Sequence, residues 1–185
     1  MQRDLVERAQ RGDHDAFEAL TSAAFDRLYA VAQRILRDLD RADDAVQECL
    51  VRAWRDLKGL RDPDRFDAWL YRLLINACRD EVRRLRRRGS EIRMIPAGQP
   101  APGDAARELA DRDQLERGFR RLSIDQRSVL VMHHYLGMGT PEIAETLGIP
   151  VGTVHSRLHY ATSALRAVLE ADARSDLVVV GGRTA

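Results

Sequence analysis

Lysine is nearly absent from this chain. Lys58 is the only one, and arginine supplies 29 of the 30 basic residues. Aromatic residues make up 5%, so a core must be built from aliphatic side chains. Cysteine is confined to Cys49 and Cys78, which have no metal-ligand spacing. That pattern suits a reducing cytosol, and both read as small apolar core residues, with a redox or metal role as the alternative. No apolar run approaches the roughly 20 residues needed to span a membrane. The charged N-terminus also lacks a signal-peptide core, so a cytoplasmic location is expected. No glycine-rich phosphate loop or nucleophile–base pairing is present, and the acids fall at helix starts and on surfaces. An enzyme is therefore not expected, and nothing calls for a cofactor, a metal or a small-molecule substrate. His155 and His159 lie four apart, a spacing that can hold a metal, but no Glu or Cys nearby completes such a site. The net charge of +1 does not by itself announce nucleic acid.

What the chain has is helical periodicity. Residues 2–11 read as a short helix with Leu5, Val6 and Ala9 on one side. Asp13 can cap a longer one whose apolar positions run from Phe17 to Leu36. Asp38-Leu39-Asp40 breaks it. A third helix is expected from about Arg41 to Lys58, with Ala42, Ala45, Val46, Cys49, Leu50, Ala53, Trp54 and Leu57 as its apolar stripe. Gly59–Asp64 reads as a loop, and a fourth helix starts near Pro63–Arg65 and reaches Arg87. Its end is crowded with Arg79, Arg83, Arg84, Arg86, Arg87 and Arg88. Such a run complements a helix C-terminus. Together with Trp69, Tyr71 and Asn76 it also fits strand binding, in which arginines hold phosphates and a ring meets a base.

Glycine and proline cluster between Gly89 and Gly103, which reads as a flexible linker and a domain boundary. The charge is distributed accordingly: residues 1–95 carry 20 basic and 18 acidic side chains, residues 96–113 carry 2 and 4, and residues 114–185 carry 8 and 7. Beyond the linker, Leu109, Leu115, Phe119 and Leu122 mark one helix, and Ser123 caps the next. From Thr140 to Ala161 the pattern is that of a helix-turn-helix. Thr140 can cap the first of these two helices, with Pro141 at its first position. Gly148 stops that helix and Pro150 leads into the second. Val154, Leu158, Ala161, Leu165 and Val168 form one apolar stripe on the second helix, and Ser156 points away from it. Thr153, His155, Ser156, Arg157, His159 and Tyr160 can then meet base edges and phosphates in a major groove. The tail 173–185 is expected to be disordered, because Leu177 to Val180 are too few to form an element alone.

The fold class expected is all-α. Two small helical domains are joined by a flexible linker, and the second is a helix-turn-helix domain of winged-helix-like, four-helix type. The residues quoted above resemble a known family, the bacterial sigma factors of the extracytoplasmic-function group. Asp44 to Trp54 is similar to the family helix that grips the β′ clamp of RNA polymerase. Phe66 to Arg72, with Asn76, Asp80, Arg83 and Arg84, is similar to its −10 element reader. Gly152 to Leu158 is similar to its −35 element reader. The resemblance implies a first domain over 1–93, a linker over 94–109 and a helix-turn-helix domain over 110–172. It implies polymerase contact by Asp44, Gln47, Glu48 and Arg52, and −10 contact by Trp69, Asn76, Arg79, Arg83, Arg84 and Arg87. The fourth helix and the Gly59–Asp64 loop before it would open the −10 DNA and hold an everted non-template base. The partners implied are core RNA polymerase, through its β′ clamp and β flap, and promoter DNA; many family members also bind an anti-sigma factor. A stand-alone helix-turn-helix regulator would leave Asp44–Trp54 and Phe66–Arg88 without a purpose. Family members often carry a basic residue at the position of His155 and an arginine at that of Tyr160, so the preferred −35 sequence should differ here.

Overall fold

The computed structural model describes residues 2–87 and 116–181, with 169 and 171–181 described as backbone only. The elements are α1 (Gln2–Gln10), α2 (His14–Leu36), α3 (Leu39–Asp56) and α4 (Phe66–Arg87), then α5 (Ile124–His134), α6 (Thr140–Leu147) and α7 (Val151–Gly181). Single 3₁₀ turns at Leu57–Gly59 and Pro63–Arg65 join α3 to α4, and a short helical segment covers 116–121. No strand occurs among the described residues. The linker expected over 94–109 lies outside them, as does Arg88.

Local chemistry sets most of the boundaries. Gly12 has φ 97°, which lets the chain turn between α1 and α2. Asp13 then caps α2 by accepting from the Ala16 amide at 3.0 Å. Asp38 does the same for α3, accepting from the Arg41 amide at 3.1 Å. The Asp38-Leu39-Asp40 break is therefore a cap, and α3 starts two residues before the expected Arg41. Ser123 and Gln126 form a reciprocal capping box at α5. Thr140 is not the cap of α6. The chain enters that helix at Gly139, whose amide donates to the Glu142 carboxylate at 2.8 Å, and Thr140 is its first helical residue. The tail also departs from expectation: α7 runs on through Gly181, across most of the segment read as disordered. No Gly or Pro interrupts it after Gly152, so nothing in the backbone stops it earlier.

The first half packs α2 against α3 and α4 around Leu28, Val31, Ile35, Val46, Cys49, Phe66, Leu70 and Leu74, none more than 2% exposed. Trp54, expected in the apolar stripe of α3, is exposed instead. It lies over the edge of the core, with its ring 4.5 Å from that of His14 and 4.9 Å from that of Phe17. The second half buries Val129, Val131, Met132, Ile143, Ala144, Leu147 and Val154. These do not form a separate core. They join the apolar cluster of the first half, because α2 packs on α5 and α4 packs on both α5 and α6. A smaller cluster of Leu122, Leu130 and Ala161, with Phe119 and Leu165, ties 116–121 and α5 to α7. Gly118 fits there because it has no side chain: a Cβ would come within 2.7 Å of a Leu165 methyl.

Candidate nucleic-acid interface

Helix α4 carries its polar side chains in two rows. Seven residues advance a helix by almost two turns, so positions seven apart stay within about 20° of one another. Trp69, Asn76 and Arg83 form one row, with Arg87 beside it. Arg72, Arg79 and Arg86 form the second. Trp69 is half-buried beside Phe66, at a ring separation of 6.0 Å, which fixes its orientation. Asn76 accepts from Arg79 Nη1 at 3.0 Å, coupling the two rows. Arg83 is exposed and pairs with Asp80 at 3.3 Å. Arg84 is exposed and pairs at 2.6 Å with Glu81, which is itself buried. Arg87 is exposed.

The turn before α4 is held by α1. Gln10 Nε2 donates to the carbonyls of Leu57 at 3.1 Å and Leu60 at 2.7 Å. Arg3 reaches Asp64 at 2.6 Å. A single glutamine thus satisfies two carbonyls at a chain reversal, where no helix ladder could. Sequence reading missed Gln10, because its partners lie 47 and 50 positions away.

On α3, Asp44 and Gln47 are exposed, and Gln47 donates to Asp43 at 2.7 Å. Glu48 is half-buried and accepts from Arg52 Nε at 2.7 Å. Arg52 turns inward and also meets Asp80 of α4 at 2.9 Å. Burial works against its charge, but the hydrogen bonds it donates to Glu48 and Asp80 outweigh that and hold its pKa above the ordinary value. Arg52 therefore ties α3 to α4, while Asp44 and Gln47 form the free face.

In the helix-turn-helix, Gly148 ends α6 at φ 65°, and its amide reaches the Ala144 and Glu145 carbonyls. His155, Ser156, His159 and Tyr160 are exposed along α7, and Thr153 is half-buried. His155 Nε2 lies 3.0 Å from Thr140 Oγ1, which fixes its ring at the start of the face. The His159 and Tyr160 rings meet edge to face at 5.9 Å. Arg157 behaves differently. It turns away from this surface and donates from Nη2 to Asp125 at 3.1 Å. Arg79 donates to the other oxygen of Asp125 at 2.7 Å. Between the halves lies a polar cleft of about 560 Å³, whose wall includes the guanidiniums of Arg52, Arg79, Arg83, Arg86 and Arg157 and the carboxylates of Asp80 and Asp125.

Other pairs cross between the halves. Arg37 meets Glu116, and Arg65 meets Glu145. Arg127 donates to the Ile35 carbonyl at 3.0 Å and to Leu122 at 3.2 Å. Burial lowers the pKa of Arg127, and Arg37 adds repulsion. The hydrogen bond with Arg65 holds the Glu145 carboxyl below its ordinary range. No group of three or more His, Cys, Asp or Glu able to hold a metal occurs among the described residues.

A basic helix with a half-buried aromatic anchor in one half, and a helix-turn-helix in the other, define a bipartite all-α DNA-binding protein. Comparison with known proteins supplies the family. Sigma-70 region 2 matches residues 21–88, and Sigma-70, region 4 matches residues 112–165. SigL of Mycobacterium tuberculosis, an ECF RNA polymerase sigma factor, is 36% identical over 159 residues, covering 82% of this chain and 90% of that protein. The ECF sigma-E factor of Escherichia coli is 30% identical over 173 residues, covering 87% and 90%. Among solved structures, CnrH in complex with the cytosolic domain of CnrY matches with TM-score 0.65 and 32% identity, covering 92% of this chain and 98% of that one. The sigma factor RpoE in complex with the anti-sigma factor NepR, from Bartonella quintana, matches with TM-score 0.65 and 26% identity, covering 84% and 98%. The chain belongs to the sigma-70 family, in its extracytoplasmic-function group. Its function is that of a sigma factor: it recognises promoters and directs transcription initiation.

Proposed function

We propose the following division of labour. Residues 1–93 bind core polymerase and read and open the −10 element, 94–109 tether the halves, and 110–172 read the −35 element. Asp44 and Gln47 on the free face of α3 meet the β′ clamp together with half-buried Glu48 at its edge, and Arg52, paired with Glu48, braces that face from behind. Trp69 and Asn76 handle an unstacked base, while Arg79, Arg83, Arg84 and Arg87 hold the strand backbone. Melting in this scheme needs no hydrolysis: binding of the unstacked base offsets a cost of a few kcal/mol. On α7, His155, Ser156, His159 and Tyr160 face the −35 groove, with Thr153 at their edge. Neutral His and Tyr lower the phosphate contribution there and shift selectivity toward hydrogen bonding and shape. Arg157 joins this set once Asp125 releases it.

The observation that supports this reading best is the row of Trp69, Asn76 and Arg83 on α4. An anchored ring, an amide and an exposed cation lie in line on one rigid element, as strand capture requires. The action takes place in the cytoplasm, without catalysis by this chain. An anti-sigma protein is a natural further partner, since matched structures hold a sigma factor together with CnrY's cytosolic domain or with the anti-sigma factor NepR. The test is run-off transcription with purified chain, core polymerase and promoter templates. Stimulated initiation that Asn76→Ala weakens is the expected result. Initiation at wild-type levels with Asn76→Ala would remove that row from the −10 step.

A further inference from the structure

Thr140 does not cap α6, since Glu142 reaches back to the Gly139 amide at 2.8 Å and closes that end. Its hydroxyl turns across to α7 instead, where Oγ1 lies 3.0 Å from Nε2 of His155. We propose that Thr140 is a specificity-determining positioning residue. It fixes the ring and the tautomer of His155, so that a hydrogen-bond donor reads the −35 element at that point and selects guanine. This inference rests on the assignment of His155 to the −35 groove made above.

The direction of the Thr140–His155 bond carries the proposal. A neutral imidazole has one nitrogen that donates and one that accepts, and the partner of one sets the role of the other. Thr140 is the first helical residue of α6, at the positive end of the helix dipole. A bare nitrogen lone pair suits that place, and an N–H pointed into it does not. The Thr140 hydroxyl has no other hydrogen-bond partner among the described residues, so its proton goes to Nε2. The imidazole proton then sits on Nδ1, the nitrogen left for DNA on an exposed side chain. Ser156 is set the other way. Its hydroxyl donates to the Thr153 carbonyl at 3.0 Å and leaves its lone pairs outward.

Base edges differ in what they offer such a donor. In the major groove guanine shows two adjacent acceptors, N7 and O6. Adenine sets its one acceptor beside a donor, thymine sets its own beside a methyl, and cytosine shows a donor. A fixed Nδ1–H therefore favours guanine. A histidine without Thr140 can turn either nitrogen outward and discriminates less.

The test is selection of initiating templates from a library randomised over the −35 element, by core polymerase with the full chain. The variants are Thr140→Val, Thr140→Ser, His155→Ala and the double variant of Thr140→Val with His155→Ala. Wild type should enrich guanine in one column. Thr140→Val should lower that enrichment about fivefold, the scale of one hydrogen bond, and leave the other columns unchanged. Thr140→Ser should restore it, and the double variant should lose no more than His155→Ala alone. Proton–nitrogen NMR of the free chain should show a bare Nε2 at His155 in the wild type and mixed tautomers in Thr140→Val. A column that His155→Ala flattens and Thr140→Val leaves intact overturns the positioning role while the −35 assignment stands. Enrichment of another base there, a protonated Nε2 in the wild type, or equal loss over all columns in a Thr140→Val chain that is helical by circular dichroism overturns it too. If His155→Ala changes no upstream column, the −35 assignment of His155 falls and this proposal with it.

Discussion

Arg157 follows Ser156 directly, yet the two residues have different surroundings. Helical spacing puts Ser156 on the outer face, and it is exposed there. The same spacing leaves Arg157 at the border, where a long side chain can turn either way. What turns it inward is Asp125, a residue 32 positions earlier that no local pattern connects to it. The thiols show the opposite case, because their burial was legible from the apolar stripes around them. Burial pushes the Cys49 thiol up to about 12 and the Cys78 thiol higher still. Both should stay unmodified by an alkylating reagent near pH 8 in the folded chain and react once urea unfolds it. Fast labelling of native protein, followed by mass spectrometry, would contradict this. At the polymerase face, Glu48→Arg should weaken core polymerase binding about tenfold. It should leave the helical circular dichroism unchanged.

At the scale of elements, Asp13 and Ser123 were legible as caps beside their own helices, whereas Asp38, equally close to α3, was read only as a break. The entry to α6 was misread because Thr140 and Gly139 both offer plausible starts. Glu142 decides between them by reaching back to the Gly139 amide. The turn from Gly59 to Asp64 was legible as a loop, though not the earlier end of α3 at Asp56, and its support was not legible, since α1 supplies it from far off in sequence. Gln10→Ala should therefore lower promoter opening while leaving polymerase affinity unchanged, measured with permanganate footprinting beside a binding assay. A loss of polymerase affinity instead would mean that α1 serves the interface and not the turn. Gly148 occupies a left-handed conformation, and its would-be Cβ has room beside Arg72. Gly148→Ala should cost about 1–2 kcal/mol from backbone conformation alone, read as a lower urea midpoint.

For the whole molecule, two helical halves were legible, and their closure was not. The Gly- and Pro-rich linker is compatible with open and closed arrangements alike. Closure depends on Val129, Met132 and Ile143 joining the core of the first half, and on pairs such as Arg65 with Glu145. The Glu145 pair gives closure a pH dependence. A carboxyl whose folded pKa is lowered adds stability above its unfolded value of about 4.3, and loses it as pH falls through the folded value. The radius of gyration should accordingly rise as the pH is lowered below that range and stay constant between pH 6 and 8. In the proposed division of labour, one chain reads two promoter elements with two separate surfaces. The most direct test is selection of initiating templates from a randomised promoter library by core polymerase with the wild-type chain, Ser156→Ala or Asn76→Ala. The wild type should enrich two sequence blocks, with Ser156→Ala relaxing only the upstream block and Asn76→Ala only the downstream one. Equal loss of both blocks in either variant, or no enrichment with any chain, would contradict the claim.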